Sequence, residues 1–194
     1  VVVAARGSLS IDDAVTDALC EAAPLGDVDG AADDEPALAH VGILRAAETM
    51  LAALDESGVL RRLLGVARVA SPAAEAEPAA GSCEGFRLVF TGHSLGAGIA
   101  AIAALHARRS TRAMGARAPE VACFAFSPPG GLVSRRVAEA MKPWATSAFV
   151  GADVIPRLSL STLELLRDEA LHALAHSRES KYAIAKRAAR AALA

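Results

Sequence analysis

Cysteine is scarce in this chain of 194 residues, and the three present, Cys20, Cys83 and Cys123, follow no C-x-x-C spacing. An odd count without paired spacing gives no disulfide framework and fixes no redox compartment, so the thiols read as buried and free. An excess of one charge is missing too: the formal net charge is -2. No global field therefore draws nucleic acid. The opening Val1-Val2-Val3-Ala4-Ala5 lacks a basic region ahead of it, which excludes a signal peptide at this position. Long hydrophobic runs are absent as well. The longest inside one predicted helix, Ala97 to Leu105, is far below the roughly 20 residues that span a bilayer, so this segment is expected to be soluble. It starts without methionine in what reads as mid-strand, and both ends are expected to be cuts through a larger protein.

Against these absences stand a hydrophobic fraction of 53% and a charged fraction of 22%. That balance is globular, although much of the apolar content is alanine, which buries little area per residue. The length suits one domain with a substantial core, and residues 1–194 are read as one.

The strongest local signal is Gly92-His93-Ser94-Leu95-Gly96, a G-x-S-x-G pentapeptide. In a nucleophile elbow the serine sits on a sharp strand-to-helix turn, and glycines flank it because a Cβ there would collide with neighbouring backbone. The context fits, since Arg87 to Thr91 reads as a buried strand and Gly96 to Arg108 as a helix. Such a turn exposes the Ser94 hydroxyl at a helix N-terminus. The backbone N–H of Leu95 then points at an oxyanion formed on an acyl group attacked by Ser94, and the helix dipole adds to it.

Around this turn the chain alternates strands and helices. Val1 to Ala5 is a short strand run leading into Arg6-Gly7-Ser8-Leu9-Ser10, and Ser10 with Asp12 and Asp13 reads as a helix start at Ile11. Ala22 to Pro36 is acidic and glycine-bearing and reads as a solvated loop. His40-Val41-Gly42 opens a helix whose Leu44, Ala47, Leu51 and Leu54 recur at helical spacing, with Gly58 as its end or a break. Ser71 to Gly81 is a second loop within the domain. Val121 to Phe126 is another strand, and Ser127-Pro128-Pro129-Gly130-Gly131 takes the chain out of the sheet because proline cannot continue a central strand. A helix over Val133 to Met141 and a strand over Thr146 to Val150 come next, then Gly151-Ala152-Asp153. From Ser161 onward the chain reads as helical. Its tail carries Lys181, Lys186, Arg187 and Arg190 without an acid, either a solvated face or a surface for anionic lipid. The pattern argues for an α/β fold with a mostly parallel sheet and helices on both faces, with reactive groups at the carboxyl ends of strands.

A serine hydroxyl is a poor nucleophile at neutral pH and needs a histidine base oriented by a carboxylate. Asp153 is the best carboxylate: it lies just past an apolar strand and comes after Ser94, in the serine-acid-histidine order of an α/β-hydrolase. The histidine has no such place. His93 adjoins the nucleophile but is expected to pack under the elbow, and His106 lies about 18 Å along the following helix. His40 opens an early helix, while His172 and His176 come in the right order but on the last helical stretch. Their i, i+4 spacing also suits metal ligation, yet no third ligand stands at matching spacing. The base is therefore expected beyond Ala194.

These residues carry a resemblance to the class 3 lipase family. Arg6-Gly7-Ser8-Leu9-Ser10 with Asp13 and Asp17 resembles the family's oxyanion loop, His40-Val41-Gly42 its His-x-Gly helix start, and Thr91 to Ala97 its elbow. Cys123 to Leu132 and Gly151 to Leu158 resemble the versions of the next two strand ends found in sn-1-specific diacylglycerol lipases. The resemblance implies an α/β-hydrolase catalytic domain, truncated here, with Ser94 as nucleophile, Asp153 as triad acid, and the N–H groups of Ser8 and Leu95 as oxyanion hole. It implies diacylglycerol as substrate, cleaved to monoacylglycerol and fatty acid at a membrane or lipid interface. It also implies transmembrane helices ahead of the catalytic domain and a regulatory insertion before the histidine. No cofactor is expected, no calcium loop is visible, and no nucleic acid partner is expected. In fungal relatives the lid comes directly after the oxyanion serine, which makes Ile11 to Thr16 the lid candidate. Triacylglycerol lipase and phospholipase A1 remain as alternatives, as does a non-catalytic fragment that binds lipid or a partner.

Overall fold

The computed structural model describes residues 1–7, 22–26, 28, 36–64, 83, 85–112, 120–177 and 179–192. They fall into two compact units, Val1–Leu158 and Ser159–Ala194. The helix start at Ile11, the lid candidate Ile11 to Thr16 and the loop Ser71 to Gly81 lie outside the described residues.

In the first unit, β1 (Val2–Ala5), β4 (Leu88–His93), β5 (Val121–Phe126) and β6 (Ala145–Ala148) form one sheet in that spatial order. Every pairing is parallel, and the register runs through Val3, Phe90, Cys123 and Ala145. Parallel neighbours need crossover connections, and here each crossover that is described carries helix: α1 (Val41–Ser57) and α2 (Val59–Leu63) before β4, α3 (Leu95–Arg112) before β5, α4 (Arg135–Met141) before β6. The order never reverses among these strands, so right-handed crossovers stack their helices on one face.

That asymmetry shows in the burial. On the helical side, Phe90 and Cys123 are fully buried together with Ile102, Ala100, Ala103 and Ala104 of α3. The alanines of α3 leave little side chain between helix and sheet, and burial pushes the Cys123 thiol up to about 12. Cys83 and Cys123 are free, and Cys20 lies outside the described residues. On the opposite face the same strands present Val2 at 66%, Phe124 at 41% and Phe126 at 49% exposure. A parallel sheet is ordinarily covered on both sides, and among the described residues of this unit only one face has helices packed on it.

The stretch Ala22 to Pro36 departs from the expected solvated loop. Ala22–Pro24 forms β2 and pairs antiparallel with β3, Leu38–His40. Acidic composition gave the loop reading, but Leu25 and Val28 are buried apolar anchors, and the Leu25 N–H donates to the Ala37 carbonyl at 2.8 Å. Burial of those two side chains outweighs the solvated character of their neighbours. From β3 the chain enters α1, where His40 is the N-cap, its Nδ1 accepting from the Ile43 N–H. Ile43, Leu44 and Ala47 of α1 are buried, and Gly58 in left-handed conformation closes the helix before α2.

The second unit is helical, as its sequence predicts. It contains α5 (Leu160–His176), opened by a Ser159/Thr162 capping box, and α6 (Lys181–Ala192). In α6, Lys186, Arg187 and Arg190 are exposed, with Arg187 paired to Glu179 at 3.1 Å.

Candidate active site

The elbow forms where β4 meets α3. Ser94 has φ +55°, a left-handed conformation that a side chain adopts at a cost of about 1–2 kcal/mol. Tight packing on both sides enforces it. A Cβ on Gly92 would run into the carbonyl of Gly96, and one on Gly96 would run into the Ala5 carbonyl and the backbone of Arg6 and Gly7. The two flanking glycines are thus required by close approach, and the end of β1 lies directly against the elbow. The Ser94 carbonyl accepts from Ala97 at 2.9 Å, which starts α3. Leu95, the first residue of α3, has one of the helix N–H groups that lack an intrahelical acceptor. Ser8 lies outside the described residues, but Gly7 before it passes so close that a Cβ there would be 2.9 Å from the His93 carbonyl.

Asp153 comes after β6 in a turn closed by its own N–H on the Val150 carbonyl at 3.2 Å. Its Oδ1 accepts from the Ile155 N–H at 3.0 Å. Arg157 braces the turn, with Nε donating to the Asp153 carbonyl at 3.1 Å. The Ser127 hydrogen bond, then the Ile155 N–H, hold the carboxyl below the usual aspartate value. Partial burial opposes this, and the electrostatic influence of the nearby His93 and Arg157 adds to it. Asp153 is thereby kept as an anion.

Ser94 and Asp153 stand on one rim at the carboxyl ends of the sheet, with the end of β5 between them. The Ser94 N–H donates to the Phe126 carbonyl at 2.9 Å, and the next residue, Ser127, donates its N–H to the Ala148 carbonyl at 2.8 Å. Backbone hydrogen bonds therefore run from the elbow through β5 to the strand that delivers the acid. Sequence reasoning took Ser127 only as the residue where the chain leaves the sheet. A serine held between an apolar strand and two prolines was the available signal, but nothing in the sequence told that it is buried with a left-handed backbone.

The histidines fall in four places. His93 is exposed at the end of β4 and near enough for its charge to act on Asp153, which corrects the expectation that it packs under the elbow. Strand alternation is the reason: His93 shares a face with Thr91, across from the buried Phe90. His40 caps α1. His106 lies along α3, where burial first and Arg109 second lower its pKa. His172 and His176 stack on each other in α5 with ring centroids 4.0 Å apart. Of the histidines in the first unit, His93 is the one that acts electrostatically on Asp153.

The family model for lipase (class 3) matches residues 2–163. The chain belongs to the class 3 lipase family. It is 36% identical over 184 residues to diacylglycerol lipase-beta of Mus musculus, covering 95% of this chain and 24% of that protein. With diacylglycerol lipase-alpha of Homo sapiens it is 34% identical over the same share of the chain, which is 16% of that relative. The chain thus spans a quarter or less of the curated relatives it matches. Among solved structures, the lipase from Rhizopus microsporus var. chinensis aligns at TM-score 0.55 with 18% identity, over 81% of this chain and 47% of that one. A fungal lipase-inhibitor complex aligns equally well, with TM-score 0.55 and 17% identity. These likenesses give the class 3 lipase chain an α/β-hydrolase fold, of which it holds a part. No described helix is long and apolar enough to cross a membrane.

Proposed function

We propose that this chain is the part of a serine lipase catalytic domain that carries the nucleophile and the acid, acting on diacylglycerol at a lipid surface to release monoacylglycerol and fatty acid. The left-handed Ser94, held between two glycines that admit no side chain, is the observation that carries the reading. Diacylglycerol is the preferred glycerolipid because both diacylglycerol lipase relatives align over 95% of the chain. Residues 1–194 are proposed to act as one catalytic domain, incomplete at both ends, in a parent protein associated with the membrane.

In this reading Ser94 Oγ attacks the ester carbonyl carbon while a histidine takes its proton. The oxygen that becomes negative is held by the N–H groups of Leu95 and Ser8, fixed donors that need no reorganisation as charge develops. Collapse of the tetrahedral intermediate breaks the bond to the glycerol oxygen, which leaves with the proton from the histidine. Water then attacks the acyl group on Ser94, with the same histidine as base, and releases the fatty acid. Asp153 orients the imidazole and stabilises its cation. The base is a histidine outside residues 1–194, a reading supported by where the five in this chain stand.

The test is hydrolysis of a short-chain chromogenic ester and of dispersed diacylglycerol, triacylglycerol and phospholipid, by the 194-residue chain and by the chain extended downstream, each with Ser94→Ala. Turnover by the extended chain alone, lost in Ser94→Ala, is expected. Turnover by the shorter chain would place the base inside it, while a folded extended chain with no activity on any ester would leave a lipid-binding module instead.

A further inference from the structure

The second unit ends in a helix whose two sides differ in kind. Between Lys181 and Ala194 the sequence has four cations and no acid. At helical spacing, Lys186, Arg187 and Arg190 fall on one side of α6, and Tyr182, Ile184, Ala185, Ala188 and Ala189 fall on the other. Lys186 and Arg190 are exposed and, among the described residues, have no acidic partner. Arg187 reaches Glu179, but that pair is itself exposed and holds the guanidinium only weakly. The apolar side is open as well. Tyr182 is 78% exposed, the three alanines are exposed, and Ile184 is half-buried. No described residue of this unit is buried, and Leu165, Leu166 and Leu171 of α5 stand in solvent. Helices in proteins owe most of their stability to the covering of an apolar face, and the described residues of this unit do not cover that of α6.

We propose that α6 is a docking surface for an anionic phospholipid bilayer, lying in the headgroup plane with Tyr182 and Ile184 turned toward the acyl boundary. Lys186 and Arg187 flank that apolar side, and their long stems let both charges reach back to the headgroups, with Arg190 above them. Charge complementarity selects an acidic partner, and the open apolar side selects lipid among acidic partners. A nucleic acid would match the cations alone and leave Tyr182 uncovered. The helix of 12 residues is about 18 Å long, which suits lying on a bilayer and not crossing it. Since the whole chain has a net charge of -2, the attraction is local to this helix. Alanine buries little area, so charge supplies most of the binding and salt weakens it. The inference goes beyond the hydrolase reading and does not rest on it, because vesicle binding is read without turnover.

The test is co-sedimentation of the 194-residue chain with vesicles of phosphatidylcholine alone and of phosphatidylcholine mixed with phosphatidylserine. Binding to the mixed vesicles only, released by molar salt, is expected. Each cation near such a surface contributes about fivefold in affinity, so Lys186→Gln combined with Arg190→Gln should weaken binding by about 25-fold. Glutamine is a good helix former, and circular dichroism checks that the helix persists. The charge-preserving pair Lys186→Arg with Arg190→Lys should bind as wild type does. Equal binding to both kinds of vesicle overturns the proposal, as does binding to neither. An unchanged affinity in the glutamine pair would leave α6 a solvated helix, and an equal loss in the charge-preserving pair would show that charge is not what binds. Affinity for an RNA oligomer above that for the mixed vesicles would make this a nucleic-acid surface instead.

Discussion

Ser94 and Ser127 lie at the ends of adjacent parallel strands, share a left-handed backbone conformation, and have been put to opposite uses. At Ser94 the chain turns straight into α3, so the strained residue is set beside the free N–H groups of a helix start. At Ser127 the chain runs on through two prolines, no helix starts before Arg135, and the residue is buried. The difference lies in the segment that leaves each strand. A small-residue helix leaves a half-exposed side chain beside unpaired helix N–H groups, whereas the proline-rich exit leaves a buried one. Equal backbone strain thus occurs at the proposed nucleophile and at a buried strand exit alike.

The largest effect that tests this division belongs to the acid. In the extended lipase, Asp153→Asn should lower kcat by about 10⁴-fold with KM little changed. A small loss would mean that another carboxylate orients the base.

Next in size are the glycines that enforce the elbow. Gly92→Ala and Gly96→Ala each drive a Cβ into backbone and should cost about 3 kcal/mol or more in urea unfolding. Stability close to wild type would show that the turn has room to relax and that Ser94 is not held in its geometry by packing.

Replacing the two serines by glycine separates strain from hydrogen bonding. Ser94→Gly relieves the left-handed residue and should stabilise by about 1 kcal/mol while abolishing activity. Ser127→Gly should gain less, because the same relief is offset by loss of a buried side chain. Equal gains in chemical denaturation would show that the Ser127 side chain contributes nothing to folding.

The smallest effects are in the pH dependence. The Asp153 carboxyl is depressed in the folded state, first by Ser127. Its contribution is then complete above the ordinary value of 3.8 and fades as pH falls toward the lower folded value. Asp153→Asn should therefore differ from wild type near neutrality and converge with it in strong acid. His106 is also depressed, by burial and Arg109. It stabilises fully above 6.5 and less as acid forces a charge onto it, so His106→Gln should flatten the loss of stability below that pH.

Much of the site was legible before any coordinates. The pentapeptide gave the elbow because G-x-S-x-G states a steric requirement, and the structure meets it at Gly92 and Gly96. Strands and helices were legible at β4, α3 and β5 because each has a long apolar pattern of one period. The β2–β3 hairpin was not, since its stability comes from Leu25 and Val28 reaching a core that the acidic stretch around them does not announce. His93 was misplaced for a related reason: pleat alternation assigns its face, but which face is open depends on where the crossover helices stack.

The sequence by itself determined the chemistry that can occur, through a serine on a glycine-flanked turn and an aspartate after a later strand, because local sterics and residue type travel with the chain. Only the tertiary structure decided how these residues are held together. That one face of the sheet packs on helices, and that β5 stands between the strand ends bearing Ser94 and Asp153 with backbone hydrogen bonds to each side, are consequences of parallel register, which hydrogen-bonds residues far apart in the chain and leaves no mark in the sequence around any one of them.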